Sequence, residues 1–193
     1  MLLTDKVEMI FSFVSRHDAT EFVSAIFLNE EFSIGDKKSR VFFVVSEVNA
    51  LPEVEFTDNM RFTSISPFLA KKNATEDQNE AYLPEPEEEA FGQIILKDLL
   101  NKDRIFKNIK DADIDDVSGM HYKLLGVNDQ RKVILKAGTE DEQVLNGYLL
   151  DFEITASPEL IRLGYYGGFG SLTNTGFGCA EILEEEDDDL YRI

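Results

Sequence analysis

Tryptophan is absent from this chain of 193 residues, cysteine occurs once and histidine twice. The lone Cys179 excludes an intramolecular disulfide and fits a reducing compartment. With only His17 and His121 beside it, scattered along the chain, no zinc cluster can assemble. The acidic run from Asp111 to Asp116 lacks the glycine and closing glutamate of a calcium loop. No Gly-Lys-Ser or Gly-Lys-Thr ends a phosphate-binding Walker loop, and no Gly-x-Ser-x-Gly elbow occurs. Apolar runs such as Val41 to Val45 are far shorter than the ~20 residues that span a bilayer. The opening Met1-Leu2-Leu3-Thr4-Asp5-Lys6 lacks the basic-then-apolar layout of a signal peptide. The expectation is a soluble cytoplasmic protein with no metal, no cofactor and no membrane partner.

Positive charge is also scarce. Nineteen basic residues face 38 acidic ones, for a net charge of −19. Two acid-only segments carry much of the excess, Glu76 to Glu89 with seven acids and Glu184 to Asp189 with six. Without them 25 acids remain against 19 bases, so the body of the protein is still mildly acidic. This counts against nucleic-acid binding without excluding it, because a field acts locally.

What is present is an ordinary apolar fraction of 43% with 15 phenylalanines, enough for a packed core. Met9 to Val14 is aromatic and β-branched and reads as a strand. A helix follows, with Asp18 and Glu21 in capping-box spacing and Ala19, Phe22 and Ile26 on one face, widened by Phe27. Strands over Glu31 to Ile34 and Arg40 to Val48 flank the turn Gly35-Asp36-Lys37-Lys38, and Leu51-Pro52 ends the unit. From Met60 a second unit begins with an alternating strand through Ser66 and a polar loop over Asn73 to Glu80. Pro84 and Pro86 open a helix with Glu87, Glu88 and Glu89 in its first turn. Phe91, Ile94, Ile95 and Leu99 recur at helical spacing, with Phe106 closing the stripe. After a loop over Asp111 to Asp116, strands are read over His121 to Leu125, Lys132 to Lys136 and Tyr148 to Thr155. A short helix starts at Pro158 and a last strand runs from Gly178 to Leu183. The second unit thus reads β-α-β-(β)-β-α-β, the ferredoxin-like order. The expected class is α+β, in tandem ferredoxin-like (RRM-like) units. Residues 1–58 form a partial strand-helix-strand unit, 59–183 a fuller one, and 184–193 an acidic tail too charged to pack.

Between the last helix and strand lies Gly168-Phe169-Gly170-Ser171-Leu172-Thr173-Asn174-Thr175-Gly176-Phe177-Gly178. Two Gly-Phe-Gly triplets are separated by five residues. Glycines allow positive φ and close backbone approach, and such a loop can turn successive N–H groups into an anion-binding nest. The two phenylalanines would anchor it in the core. A dinucleotide fingerprint does not fit, since Thr173 stands where its third glycine belongs. A tight packing turn with no ligand remains an equal alternative on these residues alone.

This spacing resembles the signature of the RAMP superfamily, and in particular the CRISPR-associated endoribonucleases that cut precursor CRISPR RNA within its repeats. Further stretches are similar to that family: Ile65-Ser66-Pro67, Tyr82-Leu83-Pro84 with Phe91 and Leu99-Leu100-Asn101-Lys102, and Ser157-Pro158-Glu159-Leu160-Ile161 running into Gly164-Tyr165-Tyr166-Gly167. The resemblance implies binding of CRISPR repeat RNA and metal-independent cleavage by attack of a ribose 2′-hydroxyl. The family's usual lysine or arginine between the triplets is missing, for Ser171 to Thr175 are uncharged. The opening strand resembles the third strand of the family's first domain, so the stretch that usually carries the catalytic histidine has no counterpart here. No catalytic residue can be transferred. The expectation is an incomplete first domain and little or no cleavage by this chain.

The resemblance implies an RNA-facing surface at Gly168, Gly170, Ser171, Thr173, Asn174, Gly176 and Gly178. Lys123, Arg131, Lys132 and Lys136 lie on or beside a predicted hairpin and suit phosphate contacts, or else an ordinary solvated strand face. His17 beside the helix cap and His121 at a strand start have the right pKa range for proton transfer but read more simply as surface residues. Tyr165 and Tyr166 could stack on a base, with packing the simpler role. Other CRISPR-associated subunits and a second copy of the chain are further candidate partners. The competing function is a non-catalytic ferredoxin-like RNA-binding or structural subunit of a CRISPR ribonucleoprotein.

Overall fold

The computed structural model describes residues 5–26, 31–35, 40–71, 83–109 and 116–183. The chain divides into two compact units, Met1–Glu55 and Phe56–Ile193.

The first unit holds helix α1 (Arg16–Ile26) and an antiparallel pair, β1 (Glu31–Gly35) with β2 (Arg40–Val44), in which Glu31 faces Val44 and Gly35 faces Arg40. Three details differ from the sequence reading. The stretch expected as a strand over Met9 to Val14 is irregular, because its aromatics pack on the helix instead of joining a ladder. Phe11 and Phe13 lie 5.0 and 4.9 Å from the Phe22 ring. The helix cap falls three residues early. Ser15 Oγ accepts the Asp18 N–H at 3.3 Å, which leaves Asp18 as the acid of the first turn. Strand β2 ends at Val44 rather than Val48. Phe27 and the turn Asp36 to Lys38 lie outside the described residues.

The second unit is a four-stranded sheet. Its strands are β3 (Asn59–Ser64), β4 (His121–Leu135), β5 (Gln143–Thr155) and β6 (Ala180–Ile182), in the spatial order β4-β5-β3-β6 with all neighbours antiparallel. Helix α2 (Glu89–Lys107) crosses from β3 to β4 and α3 (Pro158–Gly167) from β5 to β6. Two β-α-β crossovers with the first and third strands central make the ferredoxin-like α+β fold. Phe62 of β3 and Phe152 of β5 face each other at 5.4 Å. Phe91, Ile95 and Leu99 of α2 and Ile161 of α3 close over them, all fully buried. Burying these side chains is the main stabilisation of the unit, roughly 1.5–3 kcal/mol each.

Helix α2 begins at Glu89, with Glu88 as its cap, rather than at the prolines. Glu88 first ties back the Glu85 N–H at 2.8 Å. Phe106 does not close the apolar stripe but is exposed. The two strands expected over 121–125 and 132–136 are one strand of 15 residues. Register shifts near Leu125 and Asn128 absorb the polar Gly126-Val127-Asn128-Asp129 segment that reads as a turn. Strand β5 accordingly starts at Gln143, five residues before the expected Tyr148, and β6 spans only Ala180–Ile182. The loops over Asn73 to Glu80 and Asp111 to Asp115, and the tail 184–193, lie outside the described residues.

Candidate nucleic-acid interface

Local chemistry sets α3 and the loop after it. Ser157 caps α3 with its hydroxyl 3.4 Å from the Leu160 N–H, Pro158 pre-sets the first turn, and Gly168 at φ +80° stops the helix. The loop then runs beside the segment that follows β3. Ser171 N–H donates to Leu69 O at 2.9 Å, Gly178 N–H to Pro67 O at 2.9 Å, and Phe169 N–H to Gly178 O at 2.8 Å. Ser171 Oγ accepts the Lys71 N–H at 3.0 Å, and Ser66 Oγ accepts the Cys179 N–H at 2.9 Å.

Both phenylalanines anchor the loop, in different places. Phe169 is fully buried among Phe62, Phe68 and Phe152 on the helix-covered face. Phe177 packs with Leu69 and Leu145 in a second cluster, backed by Val133, Leu135 and Leu172. Along β5, Leu145 and Gly147 alternate to the face opposite Leu150, Phe152 and Ile154, so the loop clasps the sheet from both sides.

This geometry sorts the candidates. The N–H groups of Phe169, Ser171, Thr175, Gly176 and Gly178 are all bonded within the protein. Gly168, Gly170 and Gly178 are buried, Ser171 and Thr173 half-buried, and Asn174, Thr175 and Gly176 exposed. These five amides therefore point into the protein rather than toward a ligand. The loop's outward polar surface is the short 3-10 turn Thr173–Thr175 and Gly176.

The four basic candidates do not converge. Arg131 faces Gly147, whose position lies against the Phe177 ring, so it stands on the loop's second-cluster face. It is paired to Asp129 at 2.8 Å. Lys132 faces Asn146 and by alternation points to the other face. Lys136 follows the strand at φ +52° and is paired to Asp141 at 3.0 Å. Lys123 lies opposite Glu153, toward the other end of β4. On that open face Arg61 Nε donates to Glu153 at 2.9 Å. This bond, with Asn59 and Lys123 nearby, holds the Glu153 carboxyl below the usual carboxylate range. The open face is thus a mixture of charges, with Asp151 and Glu181 also on it.

His17 is exposed and sits 3.2 Å from Glu21 one turn on, and His121 is an exposed residue opposite Thr155. Tyr165 packs on Phe56 and Phe62, where burial raises its phenol pKa. Tyr166 packs on Phe56 and carries the Arg162 guanidinium 5.4 Å over its ring. No group of three or more metal-ligating side chains occurs among the described residues, and no described helix is long and apolar enough to cross a membrane.

One residue went unweighed as a contact in the sequence reading. Lys102 of α2 places its Nζ 2.8 Å from Gly168 O and 2.9 Å from Gly170 O, from a largely buried position. Its signal in the sequence is slight, a lysine three places after the buried Leu99 on an otherwise apolar stripe.

Comparison with known proteins agrees with this architecture. Residues 51–182 match the family model described as CRISPR associated protein Cas6, C-terminal. The chain is 25% identical over 186 residues to a CRISPR-associated endoribonuclease-like protein Cas6 of Pyrococcus furiosus, covering 96% of this chain and 71% of that protein. It is 23% identical to the Cas6nc protein of Pyrococcus horikoshii, covering 95% and 71%. A solved Cas6-related protein from Pyrococcus furiosus superposes with a TM-score of 0.69 at 25% identity, over 91% of this chain and 67% of that one. A solved RAMP protein described as binding different RNA substrates gives 0.68 at 21% identity over 90% and 67%, a likeness of fold.

Proposed function

Because the chain belongs to the CRISPR-associated Cas6 family, with the match spanning most of its length, we propose that it binds CRISPR repeat RNA and serves in CRISPR RNA processing. The observation that carries this reading is the doubly anchored glycine loop, whose outer rim of Thr173, Asn174, Thr175 and Gly176 lies beside the Leu172–Phe177 cluster that Arg131 flanks. Hydroxyls, a side-chain amide and a guanidinium suit a phosphodiester and its 2′-hydroxyls. The buried glycines are the frame of this surface, while Arg131, on the same face of the sheet, is its candidate phosphate contact.

In the family-type reaction a 2′-hydroxyl attacks the adjacent phosphate without a metal. It needs a base, an acid for the leaving oxygen and positive charge on the transition state. No described residue is assigned those roles. A second reading, a non-cleaving RNA-binding subunit, is favoured by the uncharged loop and the net charge of −19.

The test is a gel shift with repeat RNA at low salt. A shift is expected, and Gly176→Asp, which adds a carboxylate where a side chain meets open space, should weaken it. No shift, or one untouched by that substitution, overturns the loop as an RNA surface. Incubation in EDTA then separates the two readings, since a cleaving protein leaves a 2′,3′-cyclic phosphate end and a non-cleaving one returns the repeat intact.

A further inference from the structure

The five residues between the triplets carry no cation, yet an ammonium lies behind them. Lys102 Nζ donates to Gly168 O and Gly170 O, the carbonyls on either side of the buried Phe169. The only carboxylate paired with it among the described residues is Asp98, one helical turn back at 4.0 Å. Resting on the RNA-binding reading above, we propose that Lys102 is the positioning residue of the glycine loop, holding two of its carbonyls inward so that the outer rim can receive a phosphodiester.

A desolvated ammonium is costly unless its donors are met, and it has three. Two carbonyls at hydrogen-bond distance meet two of them, and Asp98 at 4.0 Å adds an ion pair beyond hydrogen-bond reach. The helix-face pair with Asp98 does not explain the arrangement by itself, because at 4.0 Å it is the longest of the three contacts. Burial pushes the Lys102 amine below its ordinary value, and Asp98 opposes that shift.

The loop needs such a partner. Gly168 and Gly170 are buried and adopt φ +80° and +77°, and at Gly170 a β-carbon would lie 2.6 Å from Leu69 O. Their carbonyls are buried acceptors, and a buried acceptor left without a donor favours local opening. A carbonyl turned outward would also present its negative end to an approaching phosphate. Lys102 prevents both, and it reaches the loop from 66 residues away, on a different element.

The experiment compares Lys102→Met and Lys102→Arg with the parent in the full chain. Three quantities are measured: amide hydrogen exchange without RNA, repeat-RNA affinity at low salt, and the thermal midpoint. In Lys102→Met, exchange at Ser171 and Gly178 should rise about tenfold or more while β3 and β5 keep their protection. RNA affinity should fall about tenfold, the scale met when the support behind a binding group is removed. Lys102→Arg, which keeps the charge and several donors, should restore most of both. Unchanged loop exchange in a folded Lys102→Met protein overturns the proposal. Raised exchange with unchanged affinity instead overturns the loop as the RNA surface and leaves Lys102 as its support. Should the Met variant fail to fold, Lys102→Gln, too short to bridge both carbonyls, carries the same comparison.

Discussion

At Gly178 the backbone has φ +76°, and an added β-carbon would collide with the Phe169 carbonyl oxygen. At Gly176 φ is +91°, but a β-carbon meets nothing within 4 Å. Positive φ alone costs a side chain about 1–2 kcal/mol. Gly178→Ala should therefore lose more than about 2 kcal/mol in urea unfolding, and Gly176→Ala about 1 kcal/mol. The same two positions show how unevenly the loop could be read from sequence. The triplet spacing marks both glycines, but only packing separates the structural glycine from the exposed one. Glu153 supplies a pH test. Its carboxyl is held low in the folded state chiefly by the Arg61 hydrogen bond. The stabilisation is then complete above the unfolded carboxylate pKa and is lost as pH falls through the lowered folded value. Across that acid range Arg61→Ala should lose less stability than the parent, measured as urea midpoints from neutral pH downward.

Among the elements, α3 is the one most fully legible beforehand. Ser157 and Pro158 define its start, Ile161 and Leu163 its buried face, and Gly168 its end, all within twelve consecutive residues. Ser157→Ala should cost about 1 kcal/mol, again by chemical unfolding. Strand β4 is the opposite case. Gly126, Asn128 and Asp129 are turn-forming residues by local preference, yet they stay in a continuous strand because β5 pairs with them from Leu149 to Asp151 and bulges take up the mismatch. The helix expected to open at Pro84 starts at Glu89 for a related reason. Glu88 closes a turn onto Glu85 first, and Pro86 sits inside that turn.

For the whole molecule the governing quantity is charge. At −19 the chain opposes an approaching phosphate, and among the described residues Arg131 and Lys136 are also paired to aspartates. Counting Lys123, Arg131 and Lys132 as contacts, the slope of log affinity against log salt for single-stranded repeat RNA should be no steeper than about −2. Filter-binding isotherms between low and physiological salt would measure it. A much steeper slope would require a basic surface beyond these three residues.

By itself the sequence determined the α+β class, the ferredoxin-like order of the second unit, the place of the glycine loop and the anchoring by Phe169 and Phe177. Each rests on signals a few residues long: a period of two or 3.6, a cap, a glycine that must take positive φ. Tertiary structure alone decided that five of the loop amides are bonded internally and that the four basic candidates scatter over both faces and ends of the sheet. It also decided that the ammonium serving the loop is Lys102. Those outcomes depend on strand register, on bulges in β4 and on the packing of α2 against a loop 66 residues further on. No local pattern records which carbonyl a distant lysine will reach.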